Sequence, residues 1–136
     1  MPRENFLGID YGKSKIGVAI APEGLLATGL SVIPNDRNFI PSLQKIVQDS
    51  EIKNMVVGLP ISMDGRQSAS TRAAQEFTAK LRRAFPNQNI FTYDERLTTQ
   101  EAKRNVPSRT PDDAEAARII LQGFLDKQRK GKNILN

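Results

Sequence analysis

Short apolar runs alternate with turn signals at the start of the chain. The first run spans Phe6–Asp10, the second spans Lys15–Ala21, and the segment around Gly12 between them has the composition of a hairpin turn. A third run, Leu25–Ile33, follows the turn signal Pro22-Glu23-Gly24. Because no helical pattern interrupts the three runs, we predict an antiparallel three-stranded meander.

After the meander, the hydrophobic pattern switches between the period of helices and that of buried strands. It predicts helices over residues 39–49 and 68–85, strands over 54–60 and 89–94, a short helix over about 98–105, and a last helix that starts at Thr110-Pro111 and stays apolar to Leu125. A meander followed by strand–helix–strand crossovers predicts an α/β fold. We expect a mixed five-stranded sheet, with three antiparallel and two parallel strands, flanked by helices.

The length of 136 residues is that of one domain, which we place at residues 1–126. Residues 127–136 are polar and basic, a composition typical of a frayed, flexible tail. The first residues lack a signal-peptide pattern, and every apolar run is far shorter than the ~18 residues of a membrane span. We therefore expect a cytoplasmic protein without membrane contact.

Composition excludes several kinds of chemistry. The chain has no His and no Cys, so disulfides, thiol catalysis, imidazole metal sites and Ser-His-Asp catalysis are all excluded. The groups left for catalysis are carboxylates, Lys, Arg, Tyr, hydroxyls and metal ions held by oxygen. The 20 Lys and Arg residues outnumber the 15 Asp and Glu residues, and the net charge of +5 favours a polyanionic partner.

Acidic residues follow the first and the last predicted strands. Asp10 ends the first strand, and Asp94 and Glu95 end the last one. Strand ends in open α/β sheets are where ligand sites form. Alternation cannot choose between Asp94 and Glu95, because both faces of such a strand are covered.

A third acid opens the last helix. Asp113 shares a helical stripe with Ala117, Ile120 and Phe124, so it should face the protein body, while Glu115 should face water. The alternative is that Asp113 only completes a helix cap with Thr110. If Asp113 does face inward, it could meet the acids at the strand ends.

Carboxylates gathered without His or Cys suit the oxygen-preferring ions Mg²⁺ and Mn²⁺. Two such ions ~4 Å apart activate water and stabilise the leaving oxygen of a phosphodiester. The sequence therefore favours a two-metal nuclease site.

Four segments resemble motifs of the YqgF/RuvX family, in order and over almost the whole chain. They are Leu7–Gly12 with Ile16–Ala19, Val56–Pro60 with Met63–Gly65, Asp94–Thr99, and Asp113–Gln122. The resemblance implies an RNase H-like fold related to Holliday junction resolvases, and a nuclease role in maturing the 5′ end of pre-16S ribosomal RNA. It assigns the catalytic and metal-binding roles to Asp10, Glu95 and Asp113, with Asp94 as the alternative to Glu95.

The chain departs from the family in two places. Ala21-Pro22-Glu23 stands where the family often has an acid shortly after the second strand, and the linker Pro107–Pro111 lacks the usual Lys-Gly-Lys. The second departure could alter substrate contacts near Asp113.

Substrate contacts are expected from a polar loop that enters a helix at residues 63–72, since helix N-termini with nearby hydroxyls and Arg suit phosphates. The residues expected to contact the substrate backbone are Lys13, Arg66, Ser68, Arg72 and Arg96. Taken alone, Ser68 is equally well explained as a plain N-cap.

Other functions remain open at this point. A Holliday junction resolvase would act on branched DNA and need two sites, hence a homodimer, whereas a nuclease that trims single strands would work as a monomer. The Gly8–Gly12 hairpin also resembles the phosphate loop of actin-like ATPases, which would indicate nucleotide binding. A non-catalytic RNA-binding module is the third alternative.

Overall fold

A computed structural model describes residues 3–62, 64–96 and 112–135, the last five of them by their backbone alone. The strands are β1 (Asn5–Tyr11), β2 (Lys15–Ala21), β3 (Thr28–Pro34), β4 (Ile52–Leu59) and β5 (Asn89–Asp94). The helices are α1 (Phe39–Asp49), α2 (Ala69–Ala84) and α3 (Asp113–Leu135), and a 3₁₀ turn spans Pro22–Gly24.

The five strands form one mixed sheet in the order β3-β2-β1-β4-β5. β2 is antiparallel to both β1 and β3, and β4 is parallel to both β1 and β5. The predicted sheet, a three-stranded antiparallel meander plus two parallel strands, is confirmed. Because β1, β4 and β5 run in the same direction, their carboxyl ends lie at the same edge of the sheet.

Helices cover both faces of the sheet, and alternate side chains of each strand enter different cores. Leu7 and Ile9 of β1 are fully buried in the core beneath α1 and α2. Phe6, on the other face, packs against Phe124 of α3 with the ring centroids 6.2 Å apart. Asp10 alternates with Ile9 and so lies on the face covered by α3.

Helix α3 continues further than the apolar pattern predicts. It ends at Leu135, so the end predicted near Leu125 is wrong, and the predicted tail of residues 127–136 is helical up to Leu135. Lys, Arg and Gln are good helix formers and need no apolar partner to extend a helix. In addition, Arg129 donates hydrogen bonds to the carbonyl oxygens of Gly24, at 2.8 Å, and Leu25. The flexibility expected of this segment stays a prediction.

Other predicted boundaries shift less. β3 begins at Thr28 rather than at Leu25, because the 3₁₀ turn carries Leu25 and Leu26 away from the sheet into exposed positions. The short helix predicted over residues 98–105 and the predicted start at Thr110-Pro111 lie outside the described residues. Within the described ranges, none of the helices combines the length and apolar character that a membrane crossing requires.

Candidate active site

The two predicted strand-end acids lie at the same edge of the sheet. Asp10 is the penultimate residue of β1, and Glu95 directly follows β5. β4 separates these strands and is parallel to both, with Ile9 beside Val57 and Leu59 beside Asp94. The sheet register therefore brings together side chains that are far apart in sequence.

Helix α3 brings the third acid to this edge. Its first residue, Asp113, has its carbonyl directly over Gly17 of β2, so that a Cβ on Gly17 would overlap the Asp113 carbonyl oxygen. Gly17 in turn pairs with Asp10 in the β1–β2 ladder. The start of α3 therefore lies above the end of β1.

Glycines on the sheet allow this close approach of the helix. A Cβ on Gly8 would lie 2.6 Å from the Leu121 Cβ and 2.9 Å from the Ala117 carbonyl oxygen, distances that real Cβ atoms do not adopt. On β4, a Cβ on Gly58 would lie 2.5 Å from the Ile120 Cδ1. Because these glycines carry no side chains, α3 can pack close to the sheet. This close packing brings Asp113 near Asp10.

We call Asp10, Glu95 and Asp113 the acidic group. Within it, Asp10 is coupled electrostatically to each of the other two acids. Burial, reinforced by the negative charge of Asp113, raises the pKa of Asp10 from 3.8 to about 6. Burial, reinforced by the charges of Asp10 and then of Asp94, raises the pKa of Glu95 from 4.5 to about 7. The structure thus brings together the three acids that the sequence singled out.

Asp94 differs from Glu95 because it is held by an arginine. Arg96 donates hydrogen bonds from Nε and Nη2 to the Asp94 carboxylate, the shortest being 2.6 Å, and its backbone N–H donates another at 2.9 Å. These contacts lower the pKa of Asp94, chiefly through the Arg96 side chain. The charge of Asp94 is therefore largely balanced, and Glu95 is the residue coupled to Asp10.

The cap of α3 is provided by Asp112. Its Oδ1 accepts a hydrogen bond from the Glu115 N–H at 2.7 Å, and its carbonyl accepts one from the Ala116 N–H at 2.8 Å. Asp113 is thus not needed as a cap, the role that the alternative interpretation gave it. The spacing Asp112-x-x-Glu115 was the sequence signal for this cap. Glu115 itself is partly exposed and forms an ion pair with Arg118 at 2.5 Å.

The residues expected to contact substrate lie around the same edge but differ in their surroundings. Ser68 caps α2: its hydroxyl accepts from the Thr71 N–H at 3.2 Å, while its own N–H donates to the Thr71 Oγ1 at 3.1 Å. Lys13 and Arg72 are exposed, and Arg66 is exposed beside Asp64 at 3.5 Å. Arg96 is bound to Asp94. Substrate contact by these residues stays a prediction.

The acidic group fits a divalent cation in the chemistry of its side chains. All three side chains supply carboxylate oxygens, the ligands that Mg²⁺ and Mn²⁺ prefer. Two of them have raised pKa values because negative charges lie together in a partly buried place, which a cation would relieve. In the described part of the chain, no three acidic side chains are assembled closely enough to hold an ion. Binding would require the three carboxylates to move closer together.

A mixed sheet of this order, with helices on both faces and acids at the carboxyl ends of β1 and β5, defines a protein of the RNase H-like fold class. The chain belongs to the RuvX family, because the model of that family, described as Holliday junction resolvase, matches residues 4–127. The family suggested by the sequence motifs is confirmed.

Curated relatives match over most of their own length. One from Anaeromyxobacter sp. (strain Fw109-5) is 38% identical over 132 residues, which covers 89% of this chain and 96% of the relative. Another, from Ruminiclostridium cellulolyticum, is 36% identical over 133 residues, which covers 89% of this chain and 93% of the relative. Both carry the name "Putative pre-16S rRNA nuclease".

Solved structures confirm the fold at much lower sequence identity. T. thermophilus RuvC in complex with Holliday junction substrate matches with a TM-score of 0.63 and 14% identity, covering 93% of this chain and 96% of that one. The yeast mitochondrial Holliday junction resolvase matches with a TM-score of 0.58 and 12% identity, covering 97% and 82%. The RNase H-like fold implied by the motifs is therefore confirmed.

Proposed function

We propose that this protein is a metal-dependent nuclease that processes the 5′ end of pre-16S ribosomal RNA, with the acidic group as its catalytic centre. The observation that carries the proposal is electrostatic: burial and then the charge of Asp113 raise the pKa of Asp10, and burial and then the charge of Asp10 raise that of Glu95. Asp10 is thus coupled to one carboxylate at the start of α3 and to another just after β5. Strongly perturbed carboxyl groups at such an edge are typical of functional sites.

Asp10, Glu95 and Asp113 would hold one or two divalent ions, Mg²⁺ or Mn²⁺. When bound, such ions supply the activation of water and the stabilisation of the leaving oxygen in phosphodiester hydrolysis. Asp10 and Glu95 contribute partly buried carboxylates, whose low solvation strengthens their attraction for a cation. Asp113 contributes the third carboxylate from the first residue of α3. Arg96 keeps the Asp94 carboxylate bound and away from the metal ligands.

The nucleic-acid substrate is supported by the family and by the charge balance. The net charge of +5 attracts a phosphate backbone, and Lys13, Arg66 and Arg72 present exposed cations near the acidic edge. The choice of pre-16S rRNA rests on the names of relatives at 36–38% identity. A cytoplasmic location agrees with that substrate and is part of the proposal.

A Holliday junction resolvase is the second candidate, favoured by the description of the family model. Two coordinated cuts in a four-way junction require two active sites, so this function needs a homodimer. An oligomeric-state measurement beside a cleavage assay on both substrates separates the candidates.

The direct test is cleavage of a pre-16S RNA fragment that carries its 5′ leader, with Mg²⁺ or Mn²⁺ present. Asp10→Asn, Glu95→Gln and Asp113→Asn should each lower the rate by at least about 100-fold, because each removes a charged ligand. Asp112→Asn is the matched control, since Asn caps a helix as well as Asp does, and it should cleave at the wild-type rate. Equal rates for Asp113→Asn and Asp112→Asn would exclude the proposed centre.

A further inference from the structure

A small cleft lies between α1 and α2, on the face of the sheet opposite α3, and the proposed catalytic centre does not include it. It opens at the carboxyl end of β1, at Tyr11, which directly follows Asp10 in the sequence. Its lining includes Tyr11, Asn35, Phe39, Glu76, Phe77 and Lys80. We call it the Tyr11 cleft.

The floor of the Tyr11 cleft is aromatic. The Tyr11 and Phe77 ring centroids are 4.6 Å apart, and those of Phe39 and Phe77 are 5.3 Å apart. Phe77 is buried, at 3% exposure, whereas Tyr11 and Phe39 are only partly buried. Both residues line the cleft and keep part of their surface accessible, which offers a flat molecule an aromatic contact.

The rim of the Tyr11 cleft is polar and carries charges of both signs. Glu76 and Lys80 are exposed, one helical turn apart on α2. On the other side, the Asn35 Nδ2 donates a hydrogen bond to the Gly12 carbonyl at 2.7 Å, and its backbone N–H donates to the Ser14 carbonyl at 2.9 Å. These bonds hold the β1–β2 turn against the start of α1. An aromatic floor within a polar rim suits a planar polar ring better than an aliphatic chain.

The Tyr11 cleft and the acidic group are connected along β1, because a single peptide bond joins Asp10 to Tyr11. Asp10 and Tyr11 are consecutive residues of β1, so their side chains point to opposite faces of the sheet. A strand of nucleic acid whose phosphate lies at Asp10 reaches the cleft by passing over the Gly12 turn. A nucleotide that flanks the scissile phosphate is therefore in position to enter it.

We propose that the Tyr11 cleft binds one unpaired nucleobase of the substrate, stacked on Tyr11, with Lys80 beside its phosphate and Glu76 accepting a hydrogen bond from its edge. The inference rests on the proposed function in so far as the substrate is a nucleic acid. Stacking on aromatic side chains is how proteins bind single-stranded bases of any sequence. Glu76 can only accept, so it should favour cytosine, whose exocyclic amino group donates where uracil presents a carbonyl oxygen.

The test uses a short single-stranded RNA that carries one 2-aminopurine, whose fluorescence falls when it stacks on an aromatic ring. The full-length protein is titrated into this RNA in EDTA, so that no cleavage occurs. Wild type and Tyr11→Phe should quench the probe. Tyr11→Leu, which keeps bulk but removes the ring, should quench it less and bind about tenfold more weakly, the loss expected for one base stack. Tyr93→Phe alters the second tyrosine, buried under α3, and should behave as wild type.

Base identity and pairing give a second readout that needs no core substitution. Glu76→Gln and Lys80→Ala change exposed side chains, so the protein keeps its fold. In competition with unlabelled RNAs that carry one cytosine or one uracil in place of the 2-aminopurine, Glu76→Gln should reduce the preference for cytosine, and Lys80→Ala should weaken binding of every sequence. A fully paired duplex probe should not be quenched.

Failure of this inference is distinguishable from failure of the proposed function. Equal quenching by folded Tyr11→Leu and wild type, or no quenching by wild type, overturns the nucleobase site even if the RNA is cleaved. Quenching that depends on Tyr11, without cleavage under Mg²⁺ or Mn²⁺, supports the nucleobase site and overturns the nuclease.

Discussion

Gly17 lies directly beneath the backbone carbonyl of Asp113, with no room for even a methyl group between sheet and helix. This contact places the start of α3 above the end of β1, because Gly17 is the ladder partner of Asp10. The spacing of the acidic group is therefore set by a residue that carries no side chain.

The substitution Gly17→Ala should push the start of α3 away from the sheet. We expect a loss of about 1–3 kcal/mol in the free energy of unfolding, the usual cost of overpacking, together with a large loss of nuclease activity. Gly29→Ala is the control, because a Cβ there would lie 3.3 Å from the Ala114 Cβ, a contact that a small shift relieves. Urea unfolding and a cleavage assay on both variants check the prediction. Full activity in Gly17→Ala would contradict it.

The metal-free protein should lose stability as the pH rises. The folded-state pKa of Asp10 is raised from 3.8 to about 6 and that of Glu95 from 4.5 to about 7, so the folded state binds more protons than the unfolded state in this range. The free energy of unfolding should therefore fall between about pH 4 and pH 7 and level off above. Asp10→Asn should flatten the fall, while Asp112→Asn should keep it. Urea titrations in EDTA at several pH values would show this, and identical profiles in wild type and Asp10→Asn would refute it.

Added Mg²⁺ or Mn²⁺ should restore the stability lost at alkaline pH. At a free-ion concentration 100 times the dissociation constant, binding to the folded state alone adds about 2.7 kcal/mol to the free energy of unfolding. Thermal unfolding at pH 8 should show the increase in wild type and in Asp112→Asn. The increase should be absent from Asp10→Asn and Asp113→Asn. An equal shift in all four proteins would place the ion elsewhere.

Arg96 should matter more for activity than for stability. The Asp94–Arg96 pair is partly exposed, so its loss should change the free energy of unfolding little. In Arg96→Ala, however, the released Asp94 carboxylate adds uncompensated negative charge beside Glu95 and should raise the pKa of Glu95 further.

In Arg96→Ala, the acidic limb of the pH–rate profile should therefore shift to higher pH than in wild type. The double variant Asp94→Asn/Arg96→Ala removes both charges and should return the limb towards its wild-type position. If Arg96 instead acts only by contacting substrate phosphate, the double variant will stay as impaired as Arg96→Ala.

Much of the fold could be predicted because it depends on local patterns. The alternation of apolar residues in β1 and β2, and the helical period of α2, reflect burial directly, and the sheet that they predict is the one observed. The end of α3 could not be predicted in this way, because it depends on the contact of Arg129 with carbonyls that lie far away in the sequence.

The sequence indicated which residues belong to the candidate site, but not which of them interact with one another. Alternation left Asp94 and Glu95 equivalent. The two acids differ because Arg96 donates two side-chain hydrogen bonds to the Asp94 carboxylate. From the sequence alone, Arg96 could equally be expected to bind a substrate phosphate. The Asp112 cap, by contrast, had a sequence signal in its spacing from Glu115. The Tyr11 cleft had none, because it exists only where α1 and α2 meet the end of β1.

The placement of Asp113 on the last helix has a consequence for biosynthesis. Asp10 belongs to β1, whereas Asp113 belongs to α3, which is synthesised after all five strands of the sheet onto which it docks. Contacts of such large sequence separation form late in folding. On the proposal that the acidic group is catalytic, a nascent chain in which α3 has not yet docked holds Asp10 and Glu95 without Asp113 and should be inactive, which would keep a nuclease of RNA silent beside the RNA-rich ribosome.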